Sequence, residues 1–187
     1  MTRPDPRVIA HLDAIGEPYE VLPCDPSLAD TAAFCAAYGI PPEQSANAIL
    51  VASRRPVGEA AVCLVLATNR LDVNGEIRRR LGVKKASFAP ADETVAVTGM
   101  EIGGVTPFGL PDQLRVWIDR RVMDPPWVVV GAGTREAKIK VAPSIFRRLE
   151  NASVIDGLAF SSEESPPQEK AVADQPDDHE AEPLDGV

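Results

Sequence analysis

Apolar residues recur every three to four positions over 4–15, where Val8, Ile9, Leu12 and Ile15 share one helical face and Gly16 ends it. Tyr19–Leu22 alternates briefly and predicts a strand. The Ala-rich stretch 28–38 ends at Gly39 with Pro41 beyond, which predicts a second helix. Two uninterrupted apolar runs, Ala48–Ala52 and Ala60–Ala67, flank Arg54-Arg55-Pro56-Val57-Gly58 and predict a hairpin of buried strands. Asn74–Leu81 predicts a short basic helix closed by Gly82, Lys84–Phe88 a strand, and Pro90–Val97 a helix with Pro and acids at its start. Strands follow at Arg115–Asp119, Trp127–Val130 and Lys138–Val141, then a closing helix at Pro143–Leu149 and a last strand at Ser153–Ile155. Short elements in mixed order, with a hairpin among them, predict an α+β fold.

Composition sharpens the boundaries. The chain has 187 residues and a formal net charge of −9. Nine acids against one lysine after Phe160 put about −8 of that charge in the last stretch and leave the rest nearly neutral. Low hydrophobicity and high charge there cannot offset ordering entropy, so 161–187 is expected to be a disordered acidic tail on a single domain spanning 1–160. Solvation is its simplest role and mimicry of nucleic acid a sharper one. No run reaches the ~18 apolar residues of a membrane span, and the N-terminus lacks a secretory pattern. Cys24, Cys35 and Cys63 show no ligand or redox spacing and are expected to be buried thiols in a reducing, cytoplasmic setting.

The segment Thr98–Pro111 is the foremost candidate site, with four glycines and two prolines between a helix and a strand. Gly103 and Gly104 permit close approach, while Pro107 stiffens the stretch and pushes Thr106 towards an extended conformation before Gly109. Such a loop can present backbone N–H groups to an anion. A second glycine turn, Gly131-Ala132-Gly133-Thr134, lies between two strands. Other routes are closed. His11 reads as a surface helical residue and His179 falls in the acidic tail, so neither a Ser-His-Asp triad nor a histidine metal site has its partners. No phosphate-binding P-loop occurs, and Gly131-Ala132-Gly133 lacks the third glycine of a dinucleotide site. No metal or cofactor is expected. Thr68, Arg70 and Asp72 follow an apolar strand and are expected at its mouth, holding a ligand or capping the next helix. Lys138 and Lys140 alternate with apolar residues and read, on balance, as a solvated strand face.

The glycine loop, the Lys84-Lys85-Ala86-Ser87-Phe88-Ala89 run leading to Thr98-Gly99, and Gly131-Ala132-Gly133 followed by Ile139-Lys140-Val141-Ala142-Pro143 together resemble the YbaK/ProX family. These are aminoacyl-tRNA deacylases related to the editing domain of bacterial prolyl-tRNA synthetase. The resemblance spans roughly 8–158 in consistent order. It implies a mixed, partly closed sheet of about six to seven strands flanked by helices. It also implies hydrolysis of the ester on a mischarged tRNA, with that tRNA as partner and a synthetase as a second. Main-chain donors of the two glycine turns would hold the substrate carbonyl, with Thr68, Asp72, Gly103, Gly104, Thr106, Pro107, Gly109, Gly131, Gly133 and Thr134 lining the site. Where such deacylases carry a lysine just inside the strand after the second helix, this chain has Asn47. Arg70 or Lys138 would then have to supply the positive charge, Arg70 being favoured by its expected place. Arg78, Arg79, Arg80, Lys84 and Lys85 form a local basic cluster dense enough to grip RNA phosphates, the simpler reading of such a run being a solvated face. The alternative reading is a non-catalytic module that keeps the pocket for an aminoacyl group, a nucleotide or tRNA.

Overall fold

A computed structural model describes residues 2–161. Helix α1, Pro6–Ile15, starts where the Asp5 carboxylate accepts the Arg7 amide (2.8 Å), and ends as Gly16 turns left-handed and donates to the Leu12 carbonyl. Strand β1 (Tyr19–Pro23) leads to α2, Thr31–Tyr38, capped by Asp30. The long hairpin follows as β2 (Ala46–Ser53) and β3 (Ala60–Leu66), then the three-residue β4, Asn69–Leu71. A π-turn at Val73–Ile77 runs into the single-turn α3, Arg78–Leu81. Next come β5 (Ala86–Phe88), α4 (Ala91–Thr98), β6 (Arg115–Asp119), β7 (Val128–Gly131), β8 (Ala137–Val141), β9 (Ala152–Ile155) and β10 (Ala159–Ser161). The expected closing helix is a 3₁₀ segment, Pro143–Arg148.

The class is α+β as expected, with the strands arranged in three sheets. A mixed five-stranded sheet runs β5-β2-β3-β6-β9, with β3, β6 and β9 parallel to one another. An antiparallel sheet, β1-β8-β7, abuts it through a parallel bridge from Ser45 to Val129. After β3 the chain turns out of the main sheet, and β4 pairs instead with β10, a pairing that no pattern in the sequence predicts.

Burial explains why β3 reads as an unbroken apolar run. Val62, Leu64 and Leu66 face one core with Val116, Ile118, Phe108, Phe146 and Ile139. Ala61, Cys63 and Val65 face another with Trp117, Ile77, Leu81 and Leu158. A strand covered on both faces has no polar side to alternate with. A third, small core around α2 holds Cys24, Ala29, Phe34 and Val129. All three cysteines are buried free thiols, and burial pushes the Cys63 thiol up to about 12. Among the described residues no helix is long and apolar enough to cross a membrane. The predicted acidic tail lies, but for Ser161, outside the described residues.

Candidate functional site

A cavity of about 810 Å³ opens between α2, the first half of β2, β7, β8 and the start of the glycine loop. Its walls are mostly apolar: Phe34, Cys35, Ile40, Ala46, Ile49, Val105 and Val129 are among them. Its polar groups are few: Lys138, Asn47, Thr31, Asp30, Ser45, Thr94 and the backbone at Gly103 and Gly131. A concave apolar pocket with a few polar groups is the usual form of a small-ligand site.

Lys138 sits in the lining at only 6 % exposure. Its ammonium donates to the carbonyls of Ala29 (2.9 Å) and Gly103 (2.8 Å) and lies 5.4 Å from the centre of the Phe34 ring. No carboxylate is within salt-bridge distance of it among the described residues. Burial pulls its pKa below the ordinary lysine value, with the neighbouring Arg135 adding to the shift and Cys24 and Asp30 opposing it. An ammonium has three donors, so one N–H remains beyond the two carbonyls. The solvated-face reading is therefore wrong for Lys138. The register gives the reason: Lys140 stands opposite Glu20, which it approaches to 3.4 Å, whereas Lys138 stands opposite Leu22 under the cover of α2.

Asn47, on β2, also lines the cavity. The Thr31 hydroxyl donates to its Oδ1 in a short contact, which leaves the amide nitrogen as an unused double donor among the described residues. Nothing in the sequence singled out Thr31 beyond its place after the helix-capping Asp30.

The two glycine turns meet. A Cβ on Gly131 would land on the carbonyl oxygens of Gly104 and Val105, and one on Gly104 would collide with the Thr134 backbone. The contact is fixed by hydrogen bonds from Gly133 N–H to the Gly104 carbonyl (2.7 Å) and from Glu101 N–H to the Gly133 carbonyl (3.0 Å). Arg135, which the sequence gave no reason to select, straps the turn down by donating to the carbonyls of Pro26 and Ile102. These bonds also revise the expected donors. The N–H of Gly104 is taken by the Glu101 carbonyl (2.8 Å) and that of Gly133 by Gly104, whereas the amides of Gly103 and Val105 meet no acceptor among the described residues. The N–H groups without an acceptor among the described residues are thus those of Gly103 and Val105, not of the Gly103–Gly104 pair.

The second half of the loop turns away from the cavity. Thr106 and Pro107 are buried outside it, and Phe108 is fully buried and stacked on Phe146. Gly109 packs on the α1 backbone at Arg7 and donates its N–H to His11 Nδ1 (2.8 Å). His11, expected to be a plain surface residue, is therefore the acceptor that pins the loop. Gly133 packs on Asp5, and the Thr134 hydroxyl donates to the Arg3 carbonyl; neither lines the cavity.

The 68–72 corner is elsewhere. Arg70 is exposed on β4, in register with Phe160, and lines no part of the cavity. Thr68 donates to Asn69 Oδ1 (2.9 Å), and Asp72 accepts the amides of Gly75 and Glu76 (2.9 Å each), capping the π-turn. The strand mouth inferred for these residues does not exist, because β4 turns out of the main sheet to pair with β10. Of the basic residues, Arg79 and Arg80 both pair with Glu76, which offsets part of their charge. Lys84 and Lys85 stay exposed, and pairing of Ser53 with Ala86 sets them beside exposed Arg54 and Arg55 at the hairpin tip.

The known proteins agree with this architecture. The family model for the aminoacyl-tRNA editing domain matches residues 25–149. The uncharacterised protein YwhH of Bacillus subtilis is 32 % identical over 91 residues, covering 49 % of this chain and 57 % of that protein. The matched stretch thus spans little more than half of that relative. A crystallised candidate trans-editing enzyme for prolyl-tRNA synthetase superposes with a TM-score of 0.68 at 27 % identity, over 80 % of this chain and 93 % of its own. A crystallised hypothetical protein matches over 82 % of this chain and 99 % of its own, with a TM-score of 0.73 and 23 % identity, and so shares the fold.

Proposed function

From the premise that the chain belongs to the aminoacyl-tRNA editing domain family, we propose that it is a trans-acting deacylase that hydrolyses the ester of a mischarged tRNA. The observation that carries this reading is Lys138: a buried cation that among the described residues has no carboxylate partner, in an apolar cavity beside two backbone donors with no described acceptor. An aminoacyl ester is already activated, so the site needs little acid–base power. Water adds to the acyl carbon, and negative charge grows on the carbonyl oxygen. The remaining Lys138 N–H, with the Gly103 and Val105 amides, provides donors for that oxygen. Such donors act strongly where the surroundings are apolar and the groups are already fixed. Collapse of the tetrahedral species breaks the bond to the ribose oxygen, which takes up a proton. The cavity walls would accept the amino-acid side chain, sorting it by shape and apolar contact.

The positive charge that the resemblance places at residue 47 enters instead from β8, through Lys138. Arg70, outside the cavity, has no part in this reading. A purified preparation incubated with a panel of mischarged tRNAs should release free amino acid faster than spontaneous hydrolysis for at least one of them. Release at the spontaneous rate throughout overturns the proposal and favours a binding module. That rival draws on one observation: among the described residues no imidazole lines the cavity to activate water.

A further inference from the structure

Hydrolysis at this site turns a neutral ester carbonyl into a carboxylate in the same cavity. We propose that the cavity is also a binding site for the free α-amino acid, held by its carboxylate on Lys138, so that the product of deacylation is retained and inhibits the next turnover. The inference rests on the deacylase reading for its consequence, and on the cavity alone for the binding.

Three observations carry it. First, Lys138 is a cation removed from water, and its two described partners, the carbonyls of Ala29 and Gly103, are neutral. A buried charge with no counter-ion is the costly half of an ion pair, and a ligand carboxylate supplies the missing half. The acid brings a full negative charge to Lys138 where the ester carbonyl brings only a dipole, and it makes the bonds from neutral amide donors charge-assisted, so the acid is favoured over the ester that precedes it. Secondly, among the described residues the Gly103 and Val105 amides and the Asn47 amide nitrogen, fixed by Thr31, have no acceptor and remain as donors for the second carboxylate oxygen. Thirdly, the cavity carries a charge of the other sign at its rim. Asp30 adjoins the Ala29 carbonyl that Lys138 holds, is exposed, and lines the same cavity. A buried ammonium and a rim carboxylate form the complement of a zwitterion, with the side chain left to the apolar walls.

Balance of the reaction makes retention a property of the product. Water contributes its oxygen to the acyl carbon and one proton to the departing ribose oxygen. The second proton leaves to solvent, because the acid is ionised at neutral pH. The ligand therefore gains a full negative charge next to Lys138 at the moment the RNA is released.

Isothermal titration of the full chain with L-alanine, L-valine and L-leucine, each against its carboxamide, tests the binding. At least one acid should bind at least tenfold more tightly than its amide, and Lys138→Met should remove that difference. Equal binding of acid and amide by the unaltered protein, or no binding of any acid at 10 mM, overturns the proposal without reliance on a variant that could fail to fold. The same acid added to the deacylation assay should inhibit competitively, and lack of inhibition at saturating acid overturns the inhibitory role. The two readings fail separately. Deacylation without acid binding sinks retention alone, whereas acid binding without deacylation leaves an amino-acid site and sinks the enzyme.

Discussion

Lys138 on β8 and Arg70 on β4 are both cations on short strands, yet their surroundings are opposite. β8 is the middle strand of its sheet, paired on one side with β1 and on the other with β7, and α2 covers the face that carries Lys138. β4 belongs to a two-stranded ribbon with β10, and Arg70 stands exposed there. In the first place a charge is desolvated and acts on whatever enters the cavity; in the second, water screens it. A residue's chemistry is thus set less by its type than by how many layers of the fold close over it.

The largest expected effect separates these two residues directly. If the deacylase reading is right, Lys138→Met should lower the single-turnover rate of amino-acid release by about 10²–10³, the usual loss for one oxyanion donor. Arg70→Ala should leave that rate within about twofold, since surface substitutions change little. Equal losses in the two variants would erase the distinction. The next effect concerns the contact that shapes the cavity. Gly131→Ala places a methyl against the Gly104 and Val105 carbonyls and should destabilise the fold by roughly 1–3 kcal/mol in chemical denaturation. An unchanged midpoint would mean that the two turns can part freely. In the other region, Asp72→Ala removes a double cap and should lower stability by about 1 kcal/mol while leaving amino-acid release intact. A selective loss of activity there would return the 68–72 corner to the site.

Legibility in the sequence followed the same division. Period and punctuation suffice for α1, α2 and the β2–β3 hairpin, because caps, glycine stops and apolar runs are local signals. The resemblance implies one cradle built from the two glycine turns, and Gly104 does meet Gly131. The identity of its free amides was not legible, for it depends on which carbonyl each N–H reaches. Phe108 held the key to the loop's second half: a large aromatic between Pro107 and Gly109 anchors in the core and draws its neighbours from the cavity. Lys138 was misread because alternation with Ile139 looks the same whether the polar side meets water or a helix. Only the cross-strand partners, Glu20 for Lys140 and Leu22 for Lys138, tell the two lysines apart. β4 and β10 were missed because three-residue strands carry too few positions for any period, and their pairing joins residues far apart in the chain.

The smallest effect distinguishes two basic patches in the same terms. Arg54 and Arg55 lie beside Lys84 and Lys85 across the β2–β5 pairing, all exposed, and none has a carboxylate within salt-bridge distance among the described residues. Arg79 and Arg80 are also exposed but share Glu76, whose carboxylate is largely buried between them and already balances one charge. Phosphates compete with that carboxylate for Arg79 and Arg80, whereas at the hairpin tip they displace only water and counter-ions. If tRNA binds, Arg54→Glu should weaken it a few-fold and flatten the dependence of log K on log salt by about one unit, the signature of a lost phosphate contact. Arg79→Glu should shift the slope by less. The reverse order would place the RNA along α3, on the side of the molecule that carries the β4 corner, and the cavity would then have to be reached from there.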